Sequence, residues 1–289
     1  MGYYSGKIAV ITGGASGVGK CLCHDLAQAG ADVVIVDINA ERIEAVRQEL
    51  SALGTGKVLG FACDVTKEIS VRETADKIFA EFETVHFLFN NAGVGLGEAQ
   101  RKIWDLPISD WRWGFDVNVL GVVHGIAAFV PRMLEAGQDG MVINSSSANG
   151  GLYSMPNTPI YAATKAAVTS ISEVLHQQLL REGGKIKAGV LFPGPHTVNT
   201  GILASGEVRP DDYVDDEAQK KVAYRTMDDL LAATGLKLQL TEPDEVSEFA
   251  LQCVTDGQFW MIPENEDGDR AVNARHDQII ARKNPPSGW

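Results

Sequence analysis

Residues 12–19 read TGGASGVG and lie between two stretches of different periodicity. Lys7–Thr12 (KIAVIT) is a short apolar run of the kind found in buried strands, whereas Lys20–Ala29 places its apolar residues at helical spacing. A strand, a glycine-rich turn and a helix in this order predict the first unit of a nucleotide-binding fold. The turn therefore gives the starting point for the architecture of the rest of the chain.

Three glycines of this turn have separate roles in such a unit. Gly13 allows the tight turn, Gly17 lets the backbone approach a pyrophosphate, and Gly19 permits close packing of helix on strand. The positive end of the helix dipole then faces the anion. Asp37 ends the second predicted strand, 18 residues after Gly19, where a carboxylate can hold both ribose hydroxyls. Its alternative role is that of a helix N-cap.

Strand and helix patterns alternate over about the first two hundred residues. Near-continuous apolar strands that alternate with helices indicate a parallel sheet covered on both faces, and right-handed crossovers make it doubly wound. After the first unit, the predicted strands are Asp32–Val36, Lys57–Ala62, Phe87–Phe89, Met141–Asn144, Lys187–Phe192 and Phe259–Ile262. The predicted helices are Ala40–Leu53, Ser70–Phe82, Ser109–Met133, Thr158–Leu180 and Glu217–Thr234.

The chain is predicted to form one domain over residues 1–289, because no linker rich in proline or glycine divides it. The segment at about 193–234 joins an irregular stretch to a helical pattern and is long enough to form a lid. We expect this lid to be mobile when empty and to close over bound ligands; the alternative is a static insertion that covers the sheet edge. The tail, which ends in KNPPSGW, is expected to be mobile or to pack on a neighbouring subunit.

Composition and charge exclude several classes of function. The 289 residues are 45% hydrophobic and 22% charged, which is ordinary for a globular protein. A formal charge of −13 disfavours nucleic acid and anionic membrane surfaces as partners. The chain has neither a run of 18 apolar residues nor a charged-then-apolar leader, so we expect no membrane span and a cytoplasmic location. No cluster of His, Cys, Asp or Glu has the spacing of metal ligands.

A tyrosine and a lysine, Tyr161 and Lys165, lie four residues apart on a predicted helix and therefore share one face. The spacing alone carries little weight, since Tyr3 and Lys7 repeat it near the start of the chain. What distinguishes the later pair is its position after the fifth predicted strand and the serine run at 145–147.

Several motifs in a fixed order make the chain resemble the short-chain dehydrogenase/reductase family over roughly residues 5–200. After the glycine-rich turn they are DV at 64–65, NNAG at 90–93, NV at 118–119, SS at 146–147, YAATK at 161–165 and PG at 193–194. Each motif alone is weak, whereas all of them in order are specific. The resemblance implies a single-domain Rossmann-type doubly wound sheet of about seven parallel strands flanked by helices, and an oxidoreductase that uses a nicotinamide cofactor.

The resemblance also implies a role for each matching residue. Tyr161 would be the catalytic acid/base, and Lys165 would hold the nicotinamide ribose. Ser147 would orient the substrate oxygen, and Asn118 would complete the tetrad by holding a water that links Lys165 to solvent. Besides Tyr161 and Lys165, the cofactor would contact Gly13, Ser16, Gly17, Val18, Gly19, Asp37, Asp64, Val65, Asn91, Ala92, Gly93, Pro193, Gly194 and Thr200.

Two departures from the family pattern leave alternatives. Ser147 lies 14 residues before Tyr161, one more than the usual gap, so Ser146 is an alternative and Ser145 a weaker one. The segment that reads P-G-x-V-x-T in the family reads PGPHTVNT here. We match Thr200 to the threonine that binds the nicotinamide carboxamide, with Thr197 as its rival.

The chemistry implied is reversible oxidation of an alcohol. A free tyrosine has a pKa of about 10 and is a poor base at neutral pH. The Lys165 ammonium and the positive nicotinamide ring would favour the Tyr161 phenolate, which would take the alcohol proton as hydride leaves the carbon. A hydrogen bond from Ser147 would stabilise the developing oxyanion. This chemistry needs no metal.

We predict NAD rather than NADP as the cofactor, because Asp37 would repel a ribose 2′-phosphate. The positions at which NADP enzymes carry a basic residue are Ser16 and Ile38, and Arg42 is better explained as an exposed helix residue. The alternatives are an NADP-dependent carbonyl reductase, a non-catalytic nucleotide-sensing or scaffold protein on the same fold, and a sugar-nucleotide epimerase, whose glycine spacing differs. The presence of both Tyr161 and Lys165 disfavours the non-catalytic alternative.

The predicted substrate is a small secondary alcohol or its ketone, apolar or aromatic, because the expected pocket walls include Leu152, Tyr153, Met155 and Ile160. The lid and the FWMIP strand resemble the aryl-ether alcohol (Cα) dehydrogenase branch, while steroid, terpene and acyl alcohols stay open. The helices at 109–133 and 158–180 carry more apolar surface than one sheet covers. We therefore expect a homotetramer, with a homodimer second.

Overall fold

The computed structural model describes residues 2–53, 56–99, 101–216, 219, 221 and 223–285. Within these residues the strands are β1 (Ile8–Thr12), β2 (Asp32–Asp37), β3 (Val58–Ala62), β4 (Phe87–Asn90), β5 (Gly140–Ser145), β6 (Ile186–Leu191), β7 (Thr197–Val198), β8 (Leu240–Thr241) and β9 (Trp260–Met261). Seven of them form one parallel sheet in the order β3-β2-β1-β4-β5-β6-β9, and β7 pairs with β8. The predicted doubly wound sheet of about seven strands is confirmed.

Helices cover both faces of the sheet. They are α1 (Gly17–Gln28), α2 (Ala40–Ser51), α3 (Glu68–Glu81), α4 (Ile108–Phe115), α5 (Gly121–Ala136), α6 (Ala148–Gly151), α7 (Pro159–Arg181), α8 (Met227–Thr234), α9 (Pro243–Asp256) and α10 (Glu266–Ala281). Because successive strand residues point to opposite faces, each face has its own core. On β1, Ala9 and Ile11 face a core shared with α1, α2 and α9, whereas Ile8 and Val10 face one shared with α3, α5 and α7.

The strand order reverses between β1 and β4, which are neighbours in the sheet. In open α/β sheets, ligands bind in the crevice beyond the carboxyl ends of the strands at such a reversal. The glycine-rich turn follows β1, Asp37 ends β2, and the NNAG segment runs from the last residue of β4. The topology therefore brings the predicted cofactor residues to one edge of the sheet.

The long predicted helix at Ser109–Met133 is a rod in three parts. A π-helical turn at Asp116–Leu120 separates α4 from α5, and it carries the predicted site residue Asn118. Among the described residues this rod, Ile108–Ala136, is the one helix long and apolar enough to cross a membrane, and 50% of its most apolar window is buried. Since α5 packs against α3 and β4, the rod occupies the place of a core helix in the doubly wound fold.

The C-terminal part of the fold is more helical than predicted. Helix α9 packs on α1, and its start is marked by Pro243 in the first turn and by a capping box between Glu242 and Glu245. Helix α10 lies in the tail that was expected to be mobile or to pack on another subunit. The predicted helix at Glu217–Thr234 begins only at Met227, and residues 217, 218, 220 and 222 lie outside the described residues.

Candidate active site

The glycine-rich turn excludes side chains at the positions that the sequence singled out. Gly13 and Gly17 have positive φ angles of 65° and 48°. A Cβ on Gly19 would lie 2.1 Å from the carbonyl oxygen of Gly13, and a Cβ on Gly13 would lie 2.9 Å from the Cα of Ala92. Ser16, the N-cap residue of α1, makes no side-chain capping hydrogen bond. The turn thus has the geometry that approach of a pyrophosphate requires.

The carboxylate of Asp37 connects the end of β2 to this turn. Its Oδ2 accepts a hydrogen bond from the Ala15 N–H at 3.1 Å, and its Oδ1 accepts one from the Asn39 N–H at 3.1 Å. The side-chain cap of α2 is Asn39, whose Oδ1 accepts from the Arg42 N–H at 2.9 Å. Asp37 therefore lies beside the turn as a cofactor ligand would, and the side-chain capping role considered for it belongs to Asn39.

The segment after β3 is stabilised by hydrogen bonds to its own aspartate, Asp64. Asp64 Oδ1 accepts hydrogen bonds from the N–H of Thr66 at 2.9 Å and from its hydroxyl at 2.7 Å. The Val65 carbonyl hydrogen-bonds with His124 Nδ1 at 2.8 Å, and its side chain lies against Gly121, where a Cβ would be 3.0 Å from Val65 Cγ2. Asp64 and Val65 thus occupy a rigid turn at the same edge of the sheet as Asp37.

The NNAG segment is held by Thr12, a residue to which the sequence analysis gave no role in the site. The Thr12 hydroxyl accepts hydrogen bonds from the N–H groups of Asn91 at 2.9 Å and of Ala92 at 3.1 Å. Asn91 Nδ2 donates to the Thr12 carbonyl at 3.1 Å. Gly93 lies near the lysine of the site, since a Cβ there would be 3.6 Å from Lys165 Nζ. This segment thus connects the end of β1 to α7.

Tyr161, Lys165 and Ser147 come together at the start of α7. The Ser147 hydroxyl faces the Tyr161 phenol and lowers the pKa of that phenol. Lys165 Nζ lies 5.5 Å from the centroid of the Tyr161 ring and donates to the Ser145 carbonyl at 2.8 Å. A phenol, a hydroxyl and an ammonium are thereby grouped beside Gly93, where Lys165 is buried and Tyr161 and Ser147 are partly buried.

Burial controls the protonation of both titratable groups. Burial raises the pKa of the Tyr161 phenol, and the Ser147 hydrogen bond lowers it in part. Burial also lowers the pKa of the Lys165 ammonium to about 8. In the cofactor-free protein, desolvation therefore opposes the expected effect of Lys165, which was to favour the Tyr161 phenolate. Loss of solvent disfavours the charged form of both groups.

The three consecutive serines point to different neighbours. Ser146 Oγ donates to the Lys165 carbonyl at 2.9 Å and hydrogen-bonds with Thr169 Oγ1 at 2.7 Å, which places it beneath α7. Ser145 Oγ donates to Asn91 Oδ1 at 3.4 Å. Ser147 is the serine of this run that faces the Tyr161 phenol.

Asn118 is fully buried in the π turn and is engaged with the backbone that extends β4. Its Oδ1 accepts from the Val94 N–H at 2.8 Å, and its Nδ2 donates to the Val94 carbonyl at 3.1 Å and to Thr164 Oγ1 at 3.2 Å. These contacts give the side-chain amide a positioning role for the segment beside Gly93. The water that Asn118 was expected to hold for Lys165 stays a prediction.

The two threonines considered for the carboxamide lie in different places. Thr200 packs against the glycine-rich turn, since a Cβ on Gly17 would be 3.3 Å from Thr200 Cγ2. Thr197 lies in β7, opposite Leu240, with its side chain exposed. Pro193 and Gly194 follow β6 at the same edge of the sheet.

One of the expected pocket walls is part of the core instead. Ile160 is fully buried in a cluster with Leu96, Trp113 and Tyr213, because the first turn of α7 packs on α4. Tyr153 is half-buried, and Met155 is 44% exposed. The surface available to a substrate therefore comes from the 152–155 loop rather than from Ile160.

The first half of the lid segment is fastened to α4 by a buried ion pair. Arg209 Nη1 lies 2.6 Å from Asp110 Oδ1, and both side chains are only 2% exposed. Arg209 also donates from Nε and Nη2 to the Tyr213 carbonyl at 3.0 and 2.6 Å, and the Tyr213 hydroxyl donates to Asp116 Oδ2 at 2.8 Å. The contacts of Arg209 and Tyr213 were not predicted, because the paired residues are about 100 positions apart in the chain.

The beginning of the lid lies over the segment that leads from the NNAG motif. The Gly95 N–H donates to Ser205 Oγ at 3.0 Å, and Ser205 Oγ donates to the Ile202 carbonyl at 2.6 Å. A Cβ on Gly95 would lie 3.0 Å from that carbonyl oxygen. The lid therefore starts next to the segment that contacts Lys165.

A further unpredicted residue is Glu98, which is buried on the same segment. Its carboxylate accepts hydrogen bonds from the N–H groups of Ile160 and Tyr161. No local sequence signal marks it, because its partners lie 62 and 63 residues further along the chain.

Several dehydrogenases are similar to this chain in sequence. A relative from Sphingobium sp. strain SYK-6, a C alpha-dehydrogenase, is 29% identical over 291 residues, which cover 99% of this chain and 90% of that protein. A 1-deoxy-11-beta-hydroxypentalenate dehydrogenase from Streptomyces avermitilis is 36% identical over 186 residues, 64% of this chain and 67% of that protein.

Solved structures extend the similarity over the whole chain. A short chain dehydrogenase/reductase from Burkholderia phymatum in complex with NAD has a TM-score of 0.86 at 31% identity, and the match covers 100% of this chain and 99% of that one. A metagenomic short-chain oxidoreductase in complex with NADP shares the fold, with a TM-score of 0.66 at 22% identity over 87% and 91% of the two chains. The sequence profile of the short chain dehydrogenases matches residues 7–207. A chain with this sheet, this glycine-rich turn and this match over most of its length is a member of the short-chain dehydrogenase/reductase family.

Proposed function

We propose that the protein is an NAD-dependent oxidoreductase that interconverts an apolar or aromatic secondary alcohol and its ketone, with Tyr161 as general acid/base. The observation that carries the proposal is the grouping of the Tyr161 phenol, the Ser147 hydroxyl and the Lys165 ammonium at the strand-order reversal. A buried phenol beside a hydroxyl and an ammonium has the parts needed to exchange a proton with a substrate hydroxyl.

The residues at the sheet edge fit a nicotinamide dinucleotide. The glycine-rich turn leaves the α1 N-terminus open to a pyrophosphate, and Asp37 lies beside it with a carboxylate suited to ribose hydroxyls. Gly93, Lys165 and Thr200 border the part of the crevice where the nicotinamide would lie. When bound, the nicotinamide supplies the acceptor for the hydride of the alcohol.

In the oxidation direction the chain itself handles the proton. Ser147 donates a hydrogen bond to the substrate oxygen and orients it toward Tyr161. The phenolate oxygen of Tyr161 accepts the hydroxyl proton as the carbonyl forms. The Lys165 ammonium stabilises that phenolate by charge, which offsets the cost of burying it. In the reduction direction the phenol returns the proton to the carbonyl oxygen.

NAD is proposed over NADP on electrostatic grounds. The Asp37 carboxylate would lie near a 2′-phosphate and repel it, whereas it accepts hydrogen bonds from free hydroxyls. Ser16 and Ile38 supply no positive charge at the two positions beside it. The NAD complex of the Burkholderia protein, similar over the whole chain, supports the same choice.

An apolar or aromatic alcohol fits the surfaces next to Tyr161. Leu152, Tyr153 and Met155 come from one loop, and Ile202 comes from the lid over Gly95. The relatives with similar sequences include the C alpha-dehydrogenase and the pentalenate dehydrogenase named above. An apolar lining excludes water and favours a substrate that presents an apolar or aromatic surface.

Pairing of subunits is proposed through the helices beside the site. Leu120 and Val123 lie exposed at the π turn and on α5, and Val174 and Leu180 lie exposed on α7. Exposed large apolar residues at this density favour association across a two-fold axis. Light scattering at micromolar concentration should give the mass of a homotetramer or, second, a homodimer, and the mass of a monomer would refute the pairing.

The proposed function is tested with a panel of secondary alcohols, aromatic, steroid, terpene and acyl, each offered with NAD and with NADP. Absorbance of the reduced nicotinamide reports turnover. We expect turnover on at least one apolar or aromatic alcohol, with higher kcat/KM for NAD. No turnover on the panel and on the matching ketones, or a higher kcat/KM for NADP, would contradict the proposal.

A further inference from the structure

The first turn of α7 is capped by a carboxylate from a distant part of the chain. Glu98 Oε2 accepts a hydrogen bond from the Ile160 N–H at 2.7 Å, and Oε1 accepts one from the Tyr161 N–H at 2.8 Å. N–H groups in the first turn of a helix have no partner within the helix. The local N-cap residue, Thr158, makes no side-chain capping hydrogen bond, so Glu98 takes over that part of the cap.

This cap is an unusual choice if helix stability is its only purpose. Thr158 is of a residue type that usually caps from the N-cap position itself, yet its hydroxyl accepts a hydrogen bond from Asn149 Nδ2 at 2.6 Å instead. Here the carboxylate is 2% exposed, and its burial raises its pKa. Burying a charge is costly unless strong hydrogen bonds compensate, and both bonds of Glu98 go to the first turn of α7, one of them to Tyr161 itself.

Glu98 also lies on the segment that borders the nicotinamide part of the crevice. The segment from Gly93 to Glu98 is held near its start by Asn118, which bonds both backbone groups of Val94, and at its end by the two bonds to α7. The same carboxylate therefore fixes the first turn of α7 relative to Gly93 and the lid contact at Gly95.

We propose that Glu98 is a positioning residue for the reaction, one that holds Tyr161 in register with Ser147 and the cofactor crevice. The proposal rests on the proposed role of Tyr161 as acid/base. Because one of the two bonds ends on the backbone N–H of Tyr161 itself, the carboxylate sets the height and rotation of the residue that bears the phenol. Small displacements of a reacting group reduce turnover far more than they reduce binding.

Two variants with a matched control test this role. Glu98→Gln keeps the volume and one acceptor oxygen, and Glu98→Ala removes both acceptors. Ser247→Ala is the control, because Ser247 Oγ donates to Asp25 Oδ2 at 2.5 Å in a partly buried contact between α9 and α1, outside the site. All three variants lose a hydrogen bond to a carboxylate and should lower Tm, so Tm alone does not separate them.

We expect kcat to fall about 10-fold in Glu98→Gln and about 10²-fold in Glu98→Ala, while the Kd for NAD stays within about twofold and Ser247→Ala keeps its kcat. Amide hydrogen exchange at Ile160 and Tyr161 should accelerate in both Glu98 variants and not in the control. A kcat within about twofold of the wild type in Glu98→Ala, or an equal loss of kcat and of NAD affinity, would overturn the positioning role.

A readout without turnover separates this proposal from the proposed function. Ultraviolet titration of the wild type minus that of Tyr161→Phe isolates the Tyr161 phenol. In Glu98→Gln its midpoint should move by about half a unit or more, because the phenol environment depends on the register of α7. Superimposable titrations of the wild type and Glu98→Gln would overturn the role of Glu98, whether or not the wild type turns over any of the alcohols. Failure of the whole alcohol panel would instead refute the proposed function on its own.

Discussion

The cofactor side of the site (residues 12–19, 37, 64–65 and 91–93) and its lid side (residues 193–234 with α4) are held by different kinds of contact. On the cofactor side, side chains bond to backbone: Asp37 to the Ala15 N–H, and Thr12 to the segment after β4. On the lid side, the contacts that fasten the lid to α4 and the π turn join side chains to each other: Arg209 to Asp110 and Tyr213 to Asp116. Contacts that end on backbone need a particular residue type at a particular place, whereas a pair of side chains can be placed in many ways.

The largest expected effect lies where the two sides meet. Tyr161→Phe keeps the ring and removes the proton carrier, so turnover should fall by about 10²-fold or more while NAD still binds. Ser147→Ala should lower turnover more than Ser146→Ala, because Ser147 bonds the phenol and Ser146 bonds the α7 backbone. Steady-state kinetics with NAD binding by fluorescence measures both, and the reverse order of the two serines would move the substrate contact to Ser146.

A glycine-to-alanine substitution on each side compares how well the backbone of the two sides tolerates a side chain. Gly19→Ala puts a Cβ 2.1 Å from the Gly13 carbonyl oxygen, whereas a Cβ on Gly201 in the lid meets nothing within 4 Å. We expect Gly19→Ala to lose about 2–3 kcal/mol of stability and most of its NAD affinity. Gly201→Ala should change the free energy of unfolding and that of NAD binding by less than about 0.5 kcal/mol each. Thermal unfolding and NAD titration test the pair, and equal effects would mean that the lid backbone is as constrained as the turn.

Removing the lid anchor should affect the alcohol more than the cofactor. Arg209→Met leaves the buried Asp110 with two weaker partners, the exposed Arg101 at 3.5 Å and the Gln219 amide, whose Nε2 donates at 2.9 Å. We therefore expect a loss of about 3 kcal/mol in stability. The KM for the alcohol should rise about 10-fold, while the Kd for NAD changes less than about twofold. Asp110→Asn is the companion variant, because it leaves the buried Arg209 cation, rather than the Asp110 carboxylate, without its counter-ion. An unchanged KM in Arg209→Met would show that the anchored half of the lid does not contribute to substrate binding.

Buried Lys165 should lower the free energy of unfolding of the ligand-free protein at neutral pH. Burial lowers the Lys165 pKa from an ordinary 10.5 to about 8, so the unfolded chain binds more protons between these values and stability rises with pH from about 8 to 10.5. Lys165→Met removes the buried charge but also the bond to the Ser145 carbonyl. We expect the ligand-free variant to be about 2 kcal/mol more stable at pH 7, with this gain vanishing above pH 10.5, and to be inactive. Denaturant unfolding at pH 7 and 10 checks the sign, and a variant less stable at pH 7 would contradict it.

The smallest effect is a change in cofactor preference on the cofactor side. Asp37→Ala removes the charge that would repel a 2′-phosphate, so the ratio of kcat/KM for NAD over NADP should fall about 10-fold. The Ala15 N–H loses its acceptor, which should weaken both cofactors slightly. Asn39→Ala is the control, because it removes a neighbouring side-chain cap and no charge. An unchanged ratio in Asp37→Ala would place the discrimination at another residue.

The contrast between the two sides also explains what could be predicted from the sequence. The sheet, the glycine-rich turn and the convergence of Tyr161 with Lys165 follow from periodicity and motif order. Glu98 and Arg209 could not be found in this way, because their partners are distant in the sequence. In addition, any hydrogen-bond acceptor could take the role of Glu98, and any cation that of Arg209, at a suitable position. Helix α9 could have been predicted, since Pro243 and the Glu242 capping box are ordinary start signals. Helix α10 has no buried residue and hence no apolar stripe to mark it.

The π turn at Asp116–Leu120 divides one rod into two parts with separate partners. A helix advances by about 100° per residue, so one extra residue in a turn rotates everything beyond it onto a different face. As a result α4 contacts the lid and α7, while α5 contacts α3 and the sheet. For protein engineering, this makes the turn a natural exchange point: α4 and the lid of a relative with another substrate can be grafted together onto this sheet, provided the graft carries Asn118 and begins or ends within the turn.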